Sequence, residues 1–320
     1  MSTPKILVAD KIANEGVDVF RQAGFEVDVQ VGLQPDALCA ILPAYDGLVV
    51  RSSTQARGDA FWAAATRLKV IGRAGAGVDN IDVPAATAHG TLVMNTPGGN
   101  NNAVAELVLG MTLALSRHLV RADTTMKAGR WEKAALMGEE IEGKTLGVLG
   151  LGAIGQIVAR KAAALGMKVI AYDPVTSAEV AASVSATLLP LEAVLAAADV
   201  LTVHVPLIPQ TRNLLDAAAF ARCKQGVWLI DCARGGIVDE PALLAALESG
   251  RVGAAALDVF AVEPVPAGDA LVAHPKVLAT PHIGASTRQA QDKVGTQIAE
   301  QMVAYLRDGV VQFAVNSVGG

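Results

Sequence analysis

The sequence contains little cysteine and no cluster of basic residues. Its three cysteines, Cys39, Cys223 and Cys232, show no C-x-x-C spacing, which argues against a zinc site and against a disulfide framework. Lysine and arginine are scattered along the chain, and the formal net charge is −5. We therefore expect reduced thiols, no metal, and neither nucleic acid nor an anionic membrane as the main partner. A small anionic ligand held by a few arginines fits this charge.

Long apolar runs are absent as well. No uncharged apolar stretch reaches the roughly 18 residues that a membrane-spanning helix requires. The N-terminal segment MSTPKILVADKIANEG carries charges where a signal peptide has an apolar core. These absences predict a cytoplasmic location. The chain does have 320 residues, of which 52% are hydrophobic, and this is enough for a large core and two domains.

Short apolar runs alternate with helix-like segments along most of the chain. The expected strands are KILVAD, FEVDVQ, YDGLVVRS, LKVIGRA and TLVMNTP, followed later by TLGVLG, KVIAYD, VLTVHV, VWLIDC, AAALDVF and KVLATP. Such alternation is typical of βαβ units and predicts parallel sheets. Between the two sets, residues 103–131 predict one long helix. The last predicted helix, residues 287–309, could pack on either domain.

A glycine-rich turn follows the strand TLGVLG. Gly150, Gly152 and Gly155 have the G-x-G-x-x-G spacing, which allows a tight turn, close approach of a pyrophosphate and close packing of helix on strand. The next strand ends at Asp173, 18 residues after Gly155. A carboxylate there accepts hydrogen bonds from an adenosine ribose and repels a 2′-phosphate. The pattern predicts a dinucleotide site that prefers NAD to NADP.

The five histidines differ in their positions relative to the strands. Ligands of open α/β sheets bind beyond the carboxyl ends of the strands. His89 and His274 precede strands and His118 lies within the predicted long helix, so these three are poor candidates for catalysis. His204, enclosed by two valines, is interpreted as a packed core histidine rather than as an acid or base. His282 directly follows the strand KVLATP.

Two charged residues are candidate partners of His282. A histidine exchanges a proton near neutral pH, and a carboxylate such as Glu263 would stabilise its charged form. Arg234 follows the strand VWLIDC and would hold a substrate carboxylate through a bidentate fork. Each has a simpler interpretation, Glu263 as a loop carboxylate and Arg234 as a surface ion pair. Together, behind a dinucleotide fold, they predict a hydride-transfer site.

Seven motifs run in order between about residue 45 and residue 290: VVRSST, VIGRAGAGVDNID, NTPGGNN, GVLGLGAIG, DCARGGIVDE, ALDVFAVEP and TPHIGAST. Through them the sequence resembles the D-isomer-specific 2-hydroxyacid dehydrogenase family. The resemblance implies an α/β protein of two doubly wound parallel-sheet domains with a cleft between them. Residues 1–98 and 286–320 would form a flavodoxin-like substrate domain, and residues 99–285 a Rossmann NAD domain. It also implies a homodimer through the NAD domain at residues 127–143, and no C-terminal regulatory domain is expected.

The resemblance further implies a role for each matching site residue. Arg234 would bind the substrate carboxylate, His282 would be the acid–base group, and Glu263 would be its partner. The implied NAD contacts are Gly150, Gly152, Ala153, Ile154, Gly155, Asp173, Val205, Cys232, Ala233, Asp258 and Gly284. Asp258 would lie near the carboxamide, with a strand-end cap as the alternative. The implied substrate contacts are Arg51, Ser52, Arg73 and Gly75.

The implied reaction is the NAD-dependent oxidation of D-3-phosphoglycerate to 3-phosphohydroxypyruvate, the first step of serine biosynthesis. Reduction of hydroxypyruvate, glyoxylate or another 2-keto acid is an alternative within the same chemistry, and an NAD(H)-sensing corepressor is an alternative of another class. Arg51 and Arg73 are the expected cations for the phosphate, although Arg73 has a local pair with Asp79 as its alternative. Ala134 and Ala135 stand where relatives with phosphorylated substrates often have basic residues.

Overall fold

The computed structural model describes residues 3–318, which divide into two compact units. The first unit comprises residues up to 100 and from 285 onward, and the second comprises residues 101–284. The predicted boundaries, after residue 98 and before residue 286, lie within two residues of these limits. Residues 1–2 and 319–320 of the predicted substrate domain lie outside the described residues.

The first unit is built on a five-stranded parallel sheet. Its elements are β1 (Lys5–Val8), α1 (Asn14–Gln22), β2 (Glu26–Val29), α2 (Pro35–Ile41), β3 (Gly47–Val50), α3 (Asp59–Ala64), β4 (Val70–Arg73), α4 (Val83–Ala88), β5 (Leu92–Met94) and, from the end of the chain, α12 (Arg288–Asp308). The strand order is β2-β1-β3-β4-β5. This order is that of flavodoxin-like folds, so the predicted architecture is confirmed.

The last helix belongs to this first unit. Thr287 caps α12, since its side chain accepts a hydrogen bond from the backbone N–H of Ala290. The helix buries Val294, Ile298 and Met302 in the same apolar cluster as residues of β1, α1 and β4. Its apolar face therefore completes one side of the five-stranded sheet, a location that periodicity alone left open.

The second unit is built on a seven-stranded parallel sheet. Its elements are α5 (Asn101–Ser116), α6 (Leu119–Lys127), β6 (Thr145–Leu149), α7 (Ala153–Ala164), β7 (Lys168–Tyr172), α8 (Ala178–Ser183), β8 (Ala186–Leu188), α9 (Leu191–Ala197), β9 (Val200–Val203), α10 (Ala217–Arg222), β10 (Val227–Asp231), α11 (Glu240–Glu248), β11 (Val252–Leu257) and β12 (Val277–Ala279). The strand order is β12-β11-β10-β9-β6-β7-β8. The sequence predicted six of these strands and missed the three-residue β8. The order reverses between β6 and β9, which is where such folds bind ligands.

The predicted long helix over residues 103–131 is wrong. The chain instead forms α5 and α6, which are bent by 64° relative to each other. His118 lies at the break with a left-handed backbone, φ 50°. The Ser116 carbonyl accepts a hydrogen bond from the N–H of Glu139 (2.8 Å), and the His118 Nε2 lies 3.1 Å from the Met137 carbonyl. The segment around residues 137–139 therefore bonds the Ser116 carbonyl, which in a continuous helix would accept a hydrogen bond from the next turn.

By length and apolar content, none of the single helices within residues 3–318 qualifies as a membrane span, and the bent pair α5–α6 passes that test only when taken together.

Candidate active site

The glycine-rich turn between β6 and α7 is shaped by two kinds of constraint. Gly150 has φ 96°, and a Cβ at Gly155 would lie 2.1 Å from the Gly150 carbonyl oxygen. Side chains at these two positions would therefore disrupt the turn itself. A Cβ at Gly152 would meet no protein atom within 4 Å. The missing side chain there leaves open space at the N-terminus of α7, where Ala153 and Ile154 begin the helix, and this is the cradle that a dinucleotide pyrophosphate requires.

Asp173 follows β7 and is tied to the same turn. Its carboxylate accepts hydrogen bonds from the backbone N–H groups of Leu151 (2.7 Å), Val175 (2.8 Å) and Thr176 (3.0 Å). Burial alone would raise the pKa of Asp173, but these donors more than offset it and the pKa is lowered. A carboxylate has about four lone-pair sites, and the Thr176 side chain also donates to this one, so a ribose hydroxyl would share or replace one of these donors. The turn and Asp173 together fit NAD.

His282 and Glu263 form a direct hydrogen-bonded pair in the second unit. The His282 Nδ1 lies 2.7 Å from Glu263 Oε2, and Glu263 Oε1 accepts a hydrogen bond from the N–H of Phe260 (3.0 Å). Because a carboxylate only accepts, His282 carries its proton on Nδ1 and leaves Nε2 available as a base. The side chains are 44% and 36% exposed, respectively, so the pair remains accessible to a substrate.

The pair shifts the pKa of both members. The hydrogen bond to Glu263 raises the pKa of His282, and burial lowers it. The negative charge of Glu263 also raises this pKa, so the net shift is upward. For Glu263, burial raises the pKa. The hydrogen bonds from His282 and Phe260 lower it, and because they outweigh burial the net shift is downward. The carboxylate is therefore ionised near neutral pH, and it favours the protonated form of the imidazole.

Asp258 anchors the loop that carries His282. It is 1% exposed, and its carboxylate accepts hydrogen bonds from Thr280 Oγ1 (2.5 Å), the Ile283 N–H (2.7 Å) and the Gly284 N–H (2.8 Å). These donors come from both sides of His282, whose own backbone has φ 52°. Asp258 therefore acts at least as a cap for this loop, and its predicted contact with the carboxamide stays a prediction. Sequence reasoning missed Thr280.

Arg234 lies in the loop after β10, close to the same pair. Its Nη1 donates to the Ala233 carbonyl (2.6 Å), and its positive charge lowers the pKa of both Glu263 and His282. At Gly235 this loop packs closely against the segment after β11, because a Cβ at Gly235 would lie 1.8 Å from the Phe260 carbonyl oxygen. The structure thus brings the three predicted catalytic residues of the second unit together.

Asp231, at the end of β10, was missed by sequence reasoning. It is 2% exposed and accepts a hydrogen bond from the N–H of Ala233 (2.8 Å). Burial raises the pKa of Asp231, while this hydrogen bond and the charge of Arg234 lower it. The net result is a pKa of about 7. An acidic residue at the end of an otherwise apolar strand was the available signal. Asp231 shapes the loop on which Arg234 lies.

The remaining predicted cofactor residues lie around the same edge of the sheet. A Cβ at Gly150 would lie 2.9 Å from the Val205 backbone nitrogen, so the turn rests on the end of β9. His204 precedes Val205, and its Nε2 lies 2.9 Å from Thr202 Oγ1. Burial lowers the pKa of His204 to about 4, which keeps it neutral. Burial also raises the pKa of Cys232 well above its usual value, so this residue is a packed thiol.

The predicted substrate residues belong to the first unit. Arg51 and Ser52 follow β3, and Arg73 ends the neighbouring strand β4, opposite Val50 in the register. A Cβ at Gly75 would lie 1.9 Å from Arg73 Nη1, so the guanidinium group rests on this glycine. The four residues therefore share the carboxyl edge of the five-stranded sheet. Their contact with substrate stays a prediction.

Comparison with known proteins places this chain in a family. Residues 109–284 match the D-isomer specific 2-hydroxyacid dehydrogenase, NAD binding domain. The chain is 48% identical over 313 residues to the D-3-phosphoglycerate dehydrogenase of Pongo abelii, with 98% of this chain and 58% of that relative covered. The chain thus spans little more than half the length of that relative.

Solved structures agree with this placement. The TT0316 protein of Thermus thermophilus superposes with a TM-score of 0.87 at 34% identity, covering 98% of this chain and 100% of that one. The NAD⁺-bound 3-phosphoglycerate dehydrogenase of Entamoeba histolytica gives a TM-score of 0.83 at 28% identity, covering 99% and 100%. The chain belongs to the D-isomer specific 2-hydroxyacid dehydrogenase family, and its second unit contains that family's NAD-binding domain.

Proposed function

We propose that the protein oxidises D-3-phosphoglycerate at its C2 hydroxyl with NAD, giving 3-phosphohydroxypyruvate, the first step of serine biosynthesis. The observation that carries the chemistry is the contact between His282 Nδ1 and Glu263 Oε2, 2.7 Å long, beside the NAD-binding fold. The choice of substrate is supported by the relatives named D-3-phosphoglycerate dehydrogenase, which match 98% of the chain.

In this reaction the protein binds and orients the substrate, and it moves a proton. NAD, when bound, supplies the hydride acceptor. Arg234 holds the substrate carboxylate through its guanidinium fork. His282 takes the hydroxyl proton on Nε2 as the hydride leaves C2, while Glu263 keeps the ring oriented and stabilises the positive charge that it gains. Asp258 keeps the loop of His282 in place through its three hydrogen bonds.

Substituting Glu263 with glutamine is expected to move the pH profile to lower pH. Oxidation needs neutral His282, so kcat/KM rises as pH increases through the histidine pKa. Glu263 raises that pKa through its hydrogen bond and charge, and glutamine removes the charge. The pH dependence of kcat/KM measures this shift, with Glu263→Asp as the control that retains a carboxylate. An unchanged rising limb in the glutamine variant would remove Glu263 from this role.

A steady-state panel tests the function itself. The protein is assayed with D-3-phosphoglycerate, D-glycerate, hydroxypyruvate and glyoxylate, each with the NAD and the NADP form of the cofactor. We expect turnover of D-3-phosphoglycerate with NAD preferred, since Asp173 repels a 2′-phosphate. Comparable use of glycerate would refute the phosphoglycerate assignment, and preferential reduction of hydroxypyruvate or glyoxylate would support the 2-keto acid reductase. NADH binding without any turnover would support the corepressor.

We also propose a homodimer formed through the NAD domain. Support comes from large apolar side chains that are exposed on α6 and the segment after it, namely Leu119, Val120, Met126, Trp131 and Met137. Trp131 and Met137 are 78% and 83% exposed, and large exposed apolar surfaces commonly mark interfaces. Sedimentation velocity at micromolar concentration is expected to give a dimer, and a monomer would contradict the proposal.

The cytoplasmic location stays a prediction.

A further inference from the structure

Glu263, the partner of His282, lies on a segment that has little packing of its own. Residues 261–264 follow β11, have no regular secondary structure and are exposed to solvent. Val262, for example, is 62% exposed. Exposed irregular segments open locally at low cost, because few buried contacts hold them. The contact between Glu263 and His282 therefore needs support from outside this segment.

One such support comes from the first turn of α11. Glu240 is the first residue of this helix, and its Oε1 accepts a hydrogen bond at 2.6 Å from the N–H of Ala261, which lies 21 residues further along the chain. The backbone of Glu240 lies between Asp239, whose side chain caps the helix, and Pro241, whose ring fixes φ. The carboxylate of Glu240 thus extends from a well-fixed base to the segment that carries Glu263.

Two carboxylates bind the consecutive backbone N–H groups of Phe260 and Ala261. Glu263 Oε1 accepts from Phe260 (3.0 Å), while Glu263 Oε2 lies 2.7 Å from His282 Nδ1. Glu240 accepts from the next donor, Ala261. A backbone N–H that loses its acceptor needs another polar partner, and the Glu263 carboxylate already binds the adjacent N–H. Without Glu240, the Ala261 N–H would therefore compete with His282 for Glu263.

The loop after β10 packs closely on the same stretch of backbone. A Cβ at Gly235 would lie 1.8 Å from the Phe260 carbonyl oxygen and 2.6 Å from the Ala261 nitrogen. The cavity that Gly235 and Glu240 line together with other residues has a volume of about 10 Å³, which is room for about one water molecule. The backbone of residues 260–261 is thus in close contact with Gly235 and hydrogen-bonded to Glu240.

We propose that Glu240 is a positioning residue: the hydrogen bond that it accepts from Ala261 keeps the Glu263 carboxylate directed at His282. The inference rests on the roles that the proposed function gives to Glu263 and His282. Because Glu240 acts on the imidazole through Glu263, its effect should vanish once Glu263 has been replaced. This dependence separates positioning from a general loss of stability.

The first measurement is the pH dependence of kcat/KM for the oxidation of D-3-phosphoglycerate. The charges that act on His282 are those of Glu263, Asp258 and Arg234. Glu263 raises the pKa of His282, so Glu240→Ala should move the rising limb to lower pH, as Glu263→Gln does. It should also lower kcat by about tenfold, since the imidazole is less well oriented, with KM within about twofold. Glutamine keeps an oxygen that can accept the same N–H, so Glu240→Gln should restore most of the wild-type profile.

A double variant separates positioning from other effects of the substitution. Glu240→Ala combined with Glu263→Ala should have the same kcat and pH profile as Glu263→Ala alone, because no carboxylate remains to be positioned. Additive losses would overturn the inference. Glu248→Ala is the matched control, since it removes an exposed carboxylate from the other end of the same nine-residue helix, and it should behave as wild type.

A titration of isotope-labelled histidines by NMR gives the pKa of His282 without turnover, with His282→Gln identifying its signal. If this pKa falls in Glu240→Ala although the wild type does not oxidise D-3-phosphoglycerate, the positioning role stands and the proposed function fails. If the wild type oxidises D-3-phosphoglycerate but the pKa of His282 is the same in Glu240→Ala as in Glu248→Ala, the inference is wrong and the proposed function stands.

Discussion

Replacing His282 with glutamine is expected to lower kcat by about 10²-fold or more, the usual scale for losing a general acid–base group. Glutamine retains a hydrogen-bonding side chain but cannot accept and release a proton near neutral pH. The residue lies outside the glycine-rich turn and Asp173, so NAD affinity should change little. Steady-state turnover and a fluorescence titration with NADH separate these two effects.

His204→Gln is the control for this result. His204 is hydrogen-bonded to Thr202 and its pKa is lowered to about 4 by burial, so it does not exchange protons in the working range. Its substitution should leave kcat within a few-fold of wild type. If His204→Gln proves more damaging to kcat than His282→Gln, the wrong histidine has been assigned.

Replacing Arg234 with alanine is expected to lower kcat/KM by about 10²-fold or more. A bidentate contact to a carboxylate contributes two charge-assisted hydrogen bonds, each worth about 1.5–3 kcal/mol. Arg234→Lys keeps the charge but loses the fork, so it should fall between alanine and wild type. Retention of wild-type kcat/KM in the alanine variant would exclude this residue as the carboxylate ligand.

The same variant makes a second, signed test. The charge of Arg234 lowers the pKa of His282, so Arg234→Ala should move the rising limb of the pH profile to higher pH. This is opposite to the shift expected for Glu263→Gln. The pH dependence of kcat/KM for the two variants therefore checks whether both residues act on His282. A shift in the same direction for both would contradict the electrostatic account.

The parts of the site that were predictable from sequence are those set by local geometry. The G-x-G-x-x-G spacing, the strand before it and Asp173 after the next strand lie within one βαβ unit, and their structural consequences are local. His282 was separated from the other histidines by a rule about the carboxyl ends of strands. Its contact with Glu263 spans 19 residues and was expected from the family resemblance of the motifs ALDVFAVEP and TPHIGAST.

The features that sequence did not reveal depend on contacts between distant segments. The break at His118 is stabilised by hydrogen bonds with residues 137 and 139, and nothing in the apolar pattern of 103–131 signals it. The role of Asp258 as an acceptor for three donors of the His282 loop requires the fold of residues 280–284. Lys11 and Arg288 line one pocket although they lie near opposite ends of the chain, a pairing that spacing cannot suggest.

The most direct test of the central claim follows the hydrogen at C2 of the substrate. D-3-phosphoglycerate carrying deuterium at C2 is incubated with the wild-type protein and NAD, and the reduced cofactor is analysed by mass spectrometry. Transfer of the hydride from C2 predicts reduced cofactor that carries the deuterium, together with slower single-turnover formation than with unlabelled substrate. The absence of labelled reduced cofactor, with the deuterium retained in the acid or lost to water, would contradict the account.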